Sequence, residues 1–162
     1  DATSVGVARN ALRSERPMWP RTEFQPGHFT ASGFVASPDG SKLLLIEHAR
    51  LGRWLQPGGH IEIEDPTVEA AARREVGEET SIFDLERLGS GLLRIDAHPI
   101  PPRGDEPAHV HIDLGIGFRS RTDEIGGLDE VLDAAWVPFA GLGDYGADEA
   151  VELGARRLQE LL

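Results

Sequence analysis

Three carboxylates crowd the end of one amphipathic run. In "VEAAARREVGEET", residues 68–80, a turn of about 100° per residue puts Val68, Ala71, Ala72 and Val76 on one stripe. Ala70, Arg73 and Gly77 fall opposite, but Glu75, Glu78 and Glu79 continue the stripe along the last turns. At spacings i, i+3 and i+4 the three repel one another. Near a helix C-terminus the macrodipole disfavours each by about 0.3–1 kcal/mol, and facing inward would add desolvation. A divalent cation cancels the charges together, since Mg²⁺ prefers hard oxygen ligands and keeps waters that a phosphate can replace. The competing reading is a solvated acidic face, with the helix slightly rotated and Arg74 paired with Glu78. A Gly58–Gly59 turn just upstream weighs toward the cation.

The longer stretch "GGHIEIEDPTVEAAARREVGEETSI" resembles the Nudix box, G-x5-E-x7-R-E-U-x-E-E-x-G-U with U aliphatic. Gly59 matches the opening glycine, Arg74 to Glu79 match R-E-U-x-E-E, and Ile82 matches the last aliphatic. Two positions depart. Asp65 stands for the first glutamate, with one extra residue before Arg74, and Ser81 stands for the late glycine. If that position needs a left-handed backbone, a non-glycine costs on the order of 1 kcal/mol, a matter of stability more than chemistry.

The resemblance implies an α/β/α sandwich on a mixed β-sheet, with the box as loop, helix and loop. It implies hydrolysis of a nucleoside diphosphate linked to another moiety, with Mg²⁺ or Mn²⁺. Carried over, Glu75, Glu78, Glu79 and the Gly58 carbonyl are the metal ligands, and Arg74 holds a box carboxylate in place. Water would attack phosphorus in line, with Glu78 as the expected general base. The same fold also serves as a non-catalytic nucleotide-sensing module, which need not keep every ligand of an intact R-E-x-x-E-E. Isomerase or decapping activity is a third reading, and decapping sits poorly with a net charge of −12. The box does not choose the substrate; loops such as 98–107 would.

Outside the box, "AHVHID" places His109, His111 and Asp113 on one side of a strand and Val110, Ile112 and Leu114 on the other. The row either faces the cleft, touching substrate or adding a metal ligand, or is the polar side of a half-buried strand. His98 could join it. His-x-His with a carboxylate is too few ligands to argue zinc, and His60, next to Gly59, receives no role. Trp54 either stacks on a base or fills core. Trp19 and Phe24 either pack or line a substrate rim or a homodimer contact. One of Asp123, Glu124, Asp129, Glu130 and Asp133 could supply a ligand or base from outside the box.

These groups need a scaffold, and the composition supplies an ordinary one: 162 residues, 40% hydrophobic and 27% charged, suit one domain. The net charge of −12 disfavours long nucleic acid but leaves a small nucleotide-type substrate open, because a metal can reverse the local potential. Without cysteine there is no disulfide, thiolate site or cysteine nucleophile. No apolar run reaches the ~18 residues of a membrane span and no signal-peptide pattern is seen, so the cytoplasm is expected, although a start at Asp1 leaves a removed leader open. The elements read as a helix over 4–16 with Val5, Ala8 and Leu12 inward and an irregular lead-in, making a segment 1–27 before the domain 28–162. Strands follow over 28–37 and 42–48, a loop over 49–59, a short extended piece over 60–64, and a helix over 68–80 capped by Thr67. Strands over 86–97, 108–119 and 131–137 and a helix over 146–161 complete the chain.

Overall fold

The computed structural model describes residues 2–49, 51–126 and 131–162. Helix α1 (Ala2–Leu12) is followed by strands β1 (Gly27–Ala36), β2 (Lys42–His48), β3 (Arg53–Leu55) and β4 (Gly58–His60). Helix α2 (Val68–Thr80) leads into β5 (Leu85–Leu88), β6 (Arg94–Ile100), β7 (His109–Ser120) and β8 (Asp133–Pro138). A 3-10 helix (Phe139–Tyr145) and α3 (Glu149–Gln159) close the chain.

The sheet is mixed. β1 runs parallel to β7 along its whole length, from Gly27 opposite Val110 to Ala36 opposite Arg119. β5 and β6 pair antiparallel with the other edge of β7, and β8 pairs antiparallel with β2. β1 and β2 meet only at Ala36 and Leu43, then diverge. Backbone groups exposed by that split must be satisfied. β4 does so for β1, placing Ser32 opposite Gly58 and Thr30 opposite His60, while β3 pairs with Ile46–His48 of β2. The expected loop over 49–59 therefore contains two short strands, and the extended piece is Gly58–His60 rather than 60–64.

Because successive strand residues alternate between faces, the register sorts the chain into layers. Ala31 and Val35 pack with Ala71, Ala72 and Val76 of α2. Phe29, Ile112 and Leu114 pack with Ala8 and Ala11 of α1. On the other face Phe34, Ala36 and Leu45 pack with Val151, Ala155 and Leu158 of α3. The result is the expected α/β/α sandwich. α2 lies close on the sheet because Gly33 has no side chain: a Cβ there would come within 2.5 Å of Val76 Cγ2.

Local signals explain the remaining differences. The strand expected over 86–97 breaks at Gly89, whose φ of 69° takes the chain out of β5 and back into β6. The last helix starts later than expected, at Glu149, where the Asp148 carboxylate accepts from the Val151 N–H at 2.9 Å. α1 buries Ser4, Ala8 and Ala11 while Leu12 is exposed, so its inward stripe differs from the one expected. The Ser4 Oγ accepts from the Ala97 N–H at 3.1 Å and ties α1 to β6.

Candidate functional site

Thr67 caps α2 as its sequence suggests, its Oγ1 accepting from the Ala70 N–H at 3.1 Å. About two and three turns on, two box glutamates do turn inward: Glu75 is 9% and Glu79 6% exposed. Both converge on β4. The Gly58 N–H donates to Glu79 Oε2 at 3.0 Å. A Cβ on Gly59 would fall 2.6 Å from Glu75 Oε2, so only glycine lets that carboxylate lie against the strand. Glu78 differs: its side chain is 48% exposed and stands at the rim.

Arg74 organises the rest. Its Nη1 donates to Glu75 Oε1 at 2.8 Å and to Glu78 Oε2 at 2.9 Å. Its Nε and Nη2 reach both oxygens of Asp65 at 3.2 and 2.8 Å, and Nη2 also donates to the His60 carbonyl at 2.8 Å. The Arg74 hydrogen bond holds the Asp65 carboxyl below its ordinary range despite partial burial. The same bond, with those to the glutamates, pushes the guanidinium further up. One guanidinium thus serves three carboxylates, and Glu79 adds a fourth nearby. The donors are hard oxygens, the set that suits Mg²⁺ or Mn²⁺ rather than a soft or nitrogen-seeking metal.

The other sequence candidates lie on the opposite face of the sheet. Gly59 faces Glu75 and Ala31 faces α2, so their neighbours His60 and Thr30 point away from the helix. His111 sits opposite His28 in register and Asp113 opposite Thr30, which puts both on that second face. Asp113 is buried and held on every side: Ser32 Oγ donates at 2.7 Å, Thr30 Oγ1 at 3.2 Å and Arg94 Nη2 at 3.2 Å. His109 and His111 join His28, His60 and His98 in one group of rings. The His28 and His111 centroids are 4.7 Å apart, and His98 and His111 are 5.8 Å apart. Burial, reinforced by the neighbouring imidazoles, pushes His111 down to about 3 and also lowers His28.

Trp54 lies half-buried on β3, edge-on to Tyr145 at 4.9 Å and against the α3-side core. Trp19 stacks on Phe29 at 4.7 Å, and Phe24 lies edge-on to His109 at 5.0 Å. Asp123, Glu124 and Asp133 are exposed, while Asp129 and Glu130 lie outside the described residues. His28 was not singled out by sequence, although the alternation of His28, Thr30 and Ser32 with Phe29, Ala31 and Gly33 marks a polar strand face. What the pattern could not give was the register that brings His28 beside His111 and Thr30 beside His60.

The NUDIX domain profile matches residues 27–159. Among curated proteins, none matches the chain at a significant level. Solved structures resemble it in fold. A NUDIX-family hydrolase from Clostridium perfringens superposes with a TM-score of 0.62 at 23% identity, over 83% of this chain and 95% of that one. The NUDIX domain of Shewanella oneidensis NrtR, complexed with ADP ribose, gives 0.59 at 19%, over 94% and 96%. A C. elegans Ap4A hydrolase gives 0.57 at 14%, over 82% and 96%. Among the described residues no helix is long and apolar enough to cross a membrane.

Proposed function

The chain belongs to the Nudix family of hydrolases acting on pyrophosphate-containing substrates, and from that premise we propose that it is a metal-dependent pyrophosphohydrolase cleaving a nucleoside diphosphate linked to another moiety. The observation that carries the reading is the convergence of buried Glu75 and Glu79 on Gly58–Gly59, with Glu78 open at the rim. Burying carboxylates this close together is costly unless cationic charge compensates them, and Arg74 is already shared among Asp65, Glu75 and Glu78.

Glu75, Glu79 and Glu78, with the Gly58 carbonyl, would hold the cation. Bound there, Mg²⁺ or Mn²⁺ supplies positive charge for the pyrophosphate oxygens and acidifies water for in-line attack. The chain's own residues do the positioning. Arg74 fixes the Glu75 and Glu78 carboxylates relative to each other, and Gly59 admits the Glu75 carboxylate to the strand edge. Glu78, the solvent-facing member, would take a proton from attacking water. The substrate is a small nucleotide, and the 98–107 segment, which runs from the end of β6 toward β7, is where its identity would be read. Trp54 is assigned to packing against Tyr145 rather than to base stacking.

The test is a substrate panel of nucleoside triphosphates, dinucleoside polyphosphates, ADP-ribose, nucleotide sugars and coenzymes, assayed for nucleotide and phosphate release. At least one compound should be cleaved with Mg²⁺ or Mn²⁺ and left intact with EDTA. Full turnover in metal-free buffer would overturn the mechanism. Tight binding of one compound with cleavage of none would replace it with the sensing role.

A further inference from the structure

We propose that His28, His60 and His111 form a second metal site, specific for a zinc-class divalent cation and separate from the box carboxylates. One ring nitrogen from each lies within 4.8 Å of the other two. The three come from three paired strands, β1, β4 and β7, so hydrogen-bonded register fixes their backbones. Zinc–nitrogen bonds of about 2.0–2.1 Å in a tetrahedron place the nitrogens about 3.3 Å apart. With the backbones fixed by register, closing that difference falls to rotation of the side chains.

The hydrogen bonding around the rings supports ligation rather than mere stacking. His28 is 1% exposed, and its Nδ1–H donates to the Glu23 carbonyl at 2.9 Å. That fixes the tautomer with a lone pair on Nε2, a buried atom with no hydrogen-bond partner. A buried acceptor without a partner needs an explanation, and a ring anchored by a carbonyl on its far nitrogen is the usual arrangement of a metal-bound histidine. His109 repeats the device one ring further out. Its Nδ1–H donates to the Pro107 carbonyl at 2.8 Å, leaving its Nε2 to accept from His111 Nε2 at 3.2 Å. His111 then carries its own lone pair on Nδ1.

Chemistry selects the cation. Two carboxylates beside the rings are engaged elsewhere: Asp113 by Thr30, Ser32 and Arg94, and Asp96 by His98 Nδ1–H at 2.9 Å. An all-imidazole set suits Zn²⁺, Co²⁺ or Ni²⁺ and disfavours Mg²⁺ and Ca²⁺, the reverse of the carboxylate centre. Three protein ligands leave a fourth position for water or a ligand atom.

The experiment uses the full chain without a polyhistidine tag, stripped with EDTA and then held in excess Mg²⁺ to satisfy the carboxylates. Titration with Co²⁺ should give one equivalent with the intense visible absorption of tetrahedral cobalt, displaced by Zn²⁺. H60Q and H111Q should each weaken that binding at least ~10-fold, while E79Q keeps it. Zinc-edge X-ray absorption on the wild type should show imidazole scattering, a readout that stands even if a variant fails to fold. No Co²⁺ retained over Mg²⁺, an octahedral spectrum lost in E79Q but not in H60Q, or an oxygen-only zinc shell would each overturn the site. None of these readouts depends on hydrolysis, so the site and the proposed activity stand or fall separately.

Discussion

The two faces of the sheet solve the crowding of like groups in opposite ways. On the α2 face, Asp65, Glu75 and Glu78 share Arg74 while Glu79 takes a backbone N–H, an acidic cluster that the proposed cation would complete. On the other face, five imidazoles from β1, β4, β6 and β7 pack ring against ring, and burial keeps His28 and His111 uncharged. A single strand, β4, serves both: Gly59 turns to the glutamates and His60 to the rings. Charge held by a cation and lone pairs held by tautomer are two preparations for binding metal, and they call for different metals.

The largest effect that could break this contrast is expected at Glu79. E79Q keeps the shape of the side chain and an oxygen to accept the Gly58 N–H, but it removes one charge from the cluster. Turnover should fall roughly 100-fold or more, as for loss of a metal or transition-state contact. Without metal the variant should be as stable as the wild type or better by a few tenths of a kcal/mol, since Glu75 lies one turn away. With Mg²⁺ the order should reverse, because the wild type gains RT ln(1 + [L]/Kd) and the variant loses much of it. Melting curves in EDTA and in saturating Mg²⁺, beside the assay, check both halves. Wild-type turnover with a full Mg²⁺-dependent rise would make Glu79 an ordinary buried acid.

The two faces were unequally legible in the sequence for a physical reason. The carboxylate centre is built almost within one helix, where spacing alone sets geometry, so Glu75, Glu79, Arg74 and the Thr67 cap could be placed before any fold was known. Even there the wheel treated Glu78 like its neighbours, whereas it stands at the rim, and it set Gly77 outward where Phe83 covers it: a Cβ on Gly77 would meet that ring at 2.3 Å. The histidine face is assembled by strand register across residues far apart in the chain. His109 and His111 showed their common side, but nothing local states that β1 lies parallel to β7 or that β4 fills the gap between β1 and β2.

Acid should separate the faces, with a smaller effect. His111 has an ordinary value of 6.5 and is held down to about 3 in the fold. The unfolded chain therefore takes up a proton that the folded one refuses, so stability is full above about pH 6.5 and falls as pH drops below it. One such group costs at most about 1.4 kcal/mol per pH unit; solvent screening at a partly open ring brings this nearer 0.5–1. Asp65 is depressed by Arg74, so its contribution is present above the ordinary carboxylate range and lost only as pH falls through its lowered value. Urea unfolding in EDTA at pH 7, 6 and 5 should show a decline that H111Q flattens. A flat profile in the wild type would mean the rings protonate freely in the fold, and the contrast with the charged face would go.

The smallest expected effect tests whether the end of α2 can be altered without touching either face. The helix stops at Ser81 in the left-handed conformation, φ 58° and ψ 20°, with its N–H on the Gly77 carbonyl at 2.8 Å. A side chain there costs about 1 kcal/mol, and glycine would remove that cost while loosening the unfolded chain. S81G should therefore gain only about 0.5 kcal/mol, roughly 1–2 °C for a domain of this size. Ser81 is exposed, and its Cβ is the group a side chain on Gly126 would strike at 2.5 Å, so its removal leaves a shallow gap at the surface rather than a cavity. The glutamates are anchored on β4 and by Arg74, not by the cap, so kcat and Mg²⁺ dependence should not change. If S81G instead weakened Mg²⁺ binding, the cap would be setting the angle at which Glu79 meets Gly58. The carboxylate face would then depend on backbone strain as well as on charge.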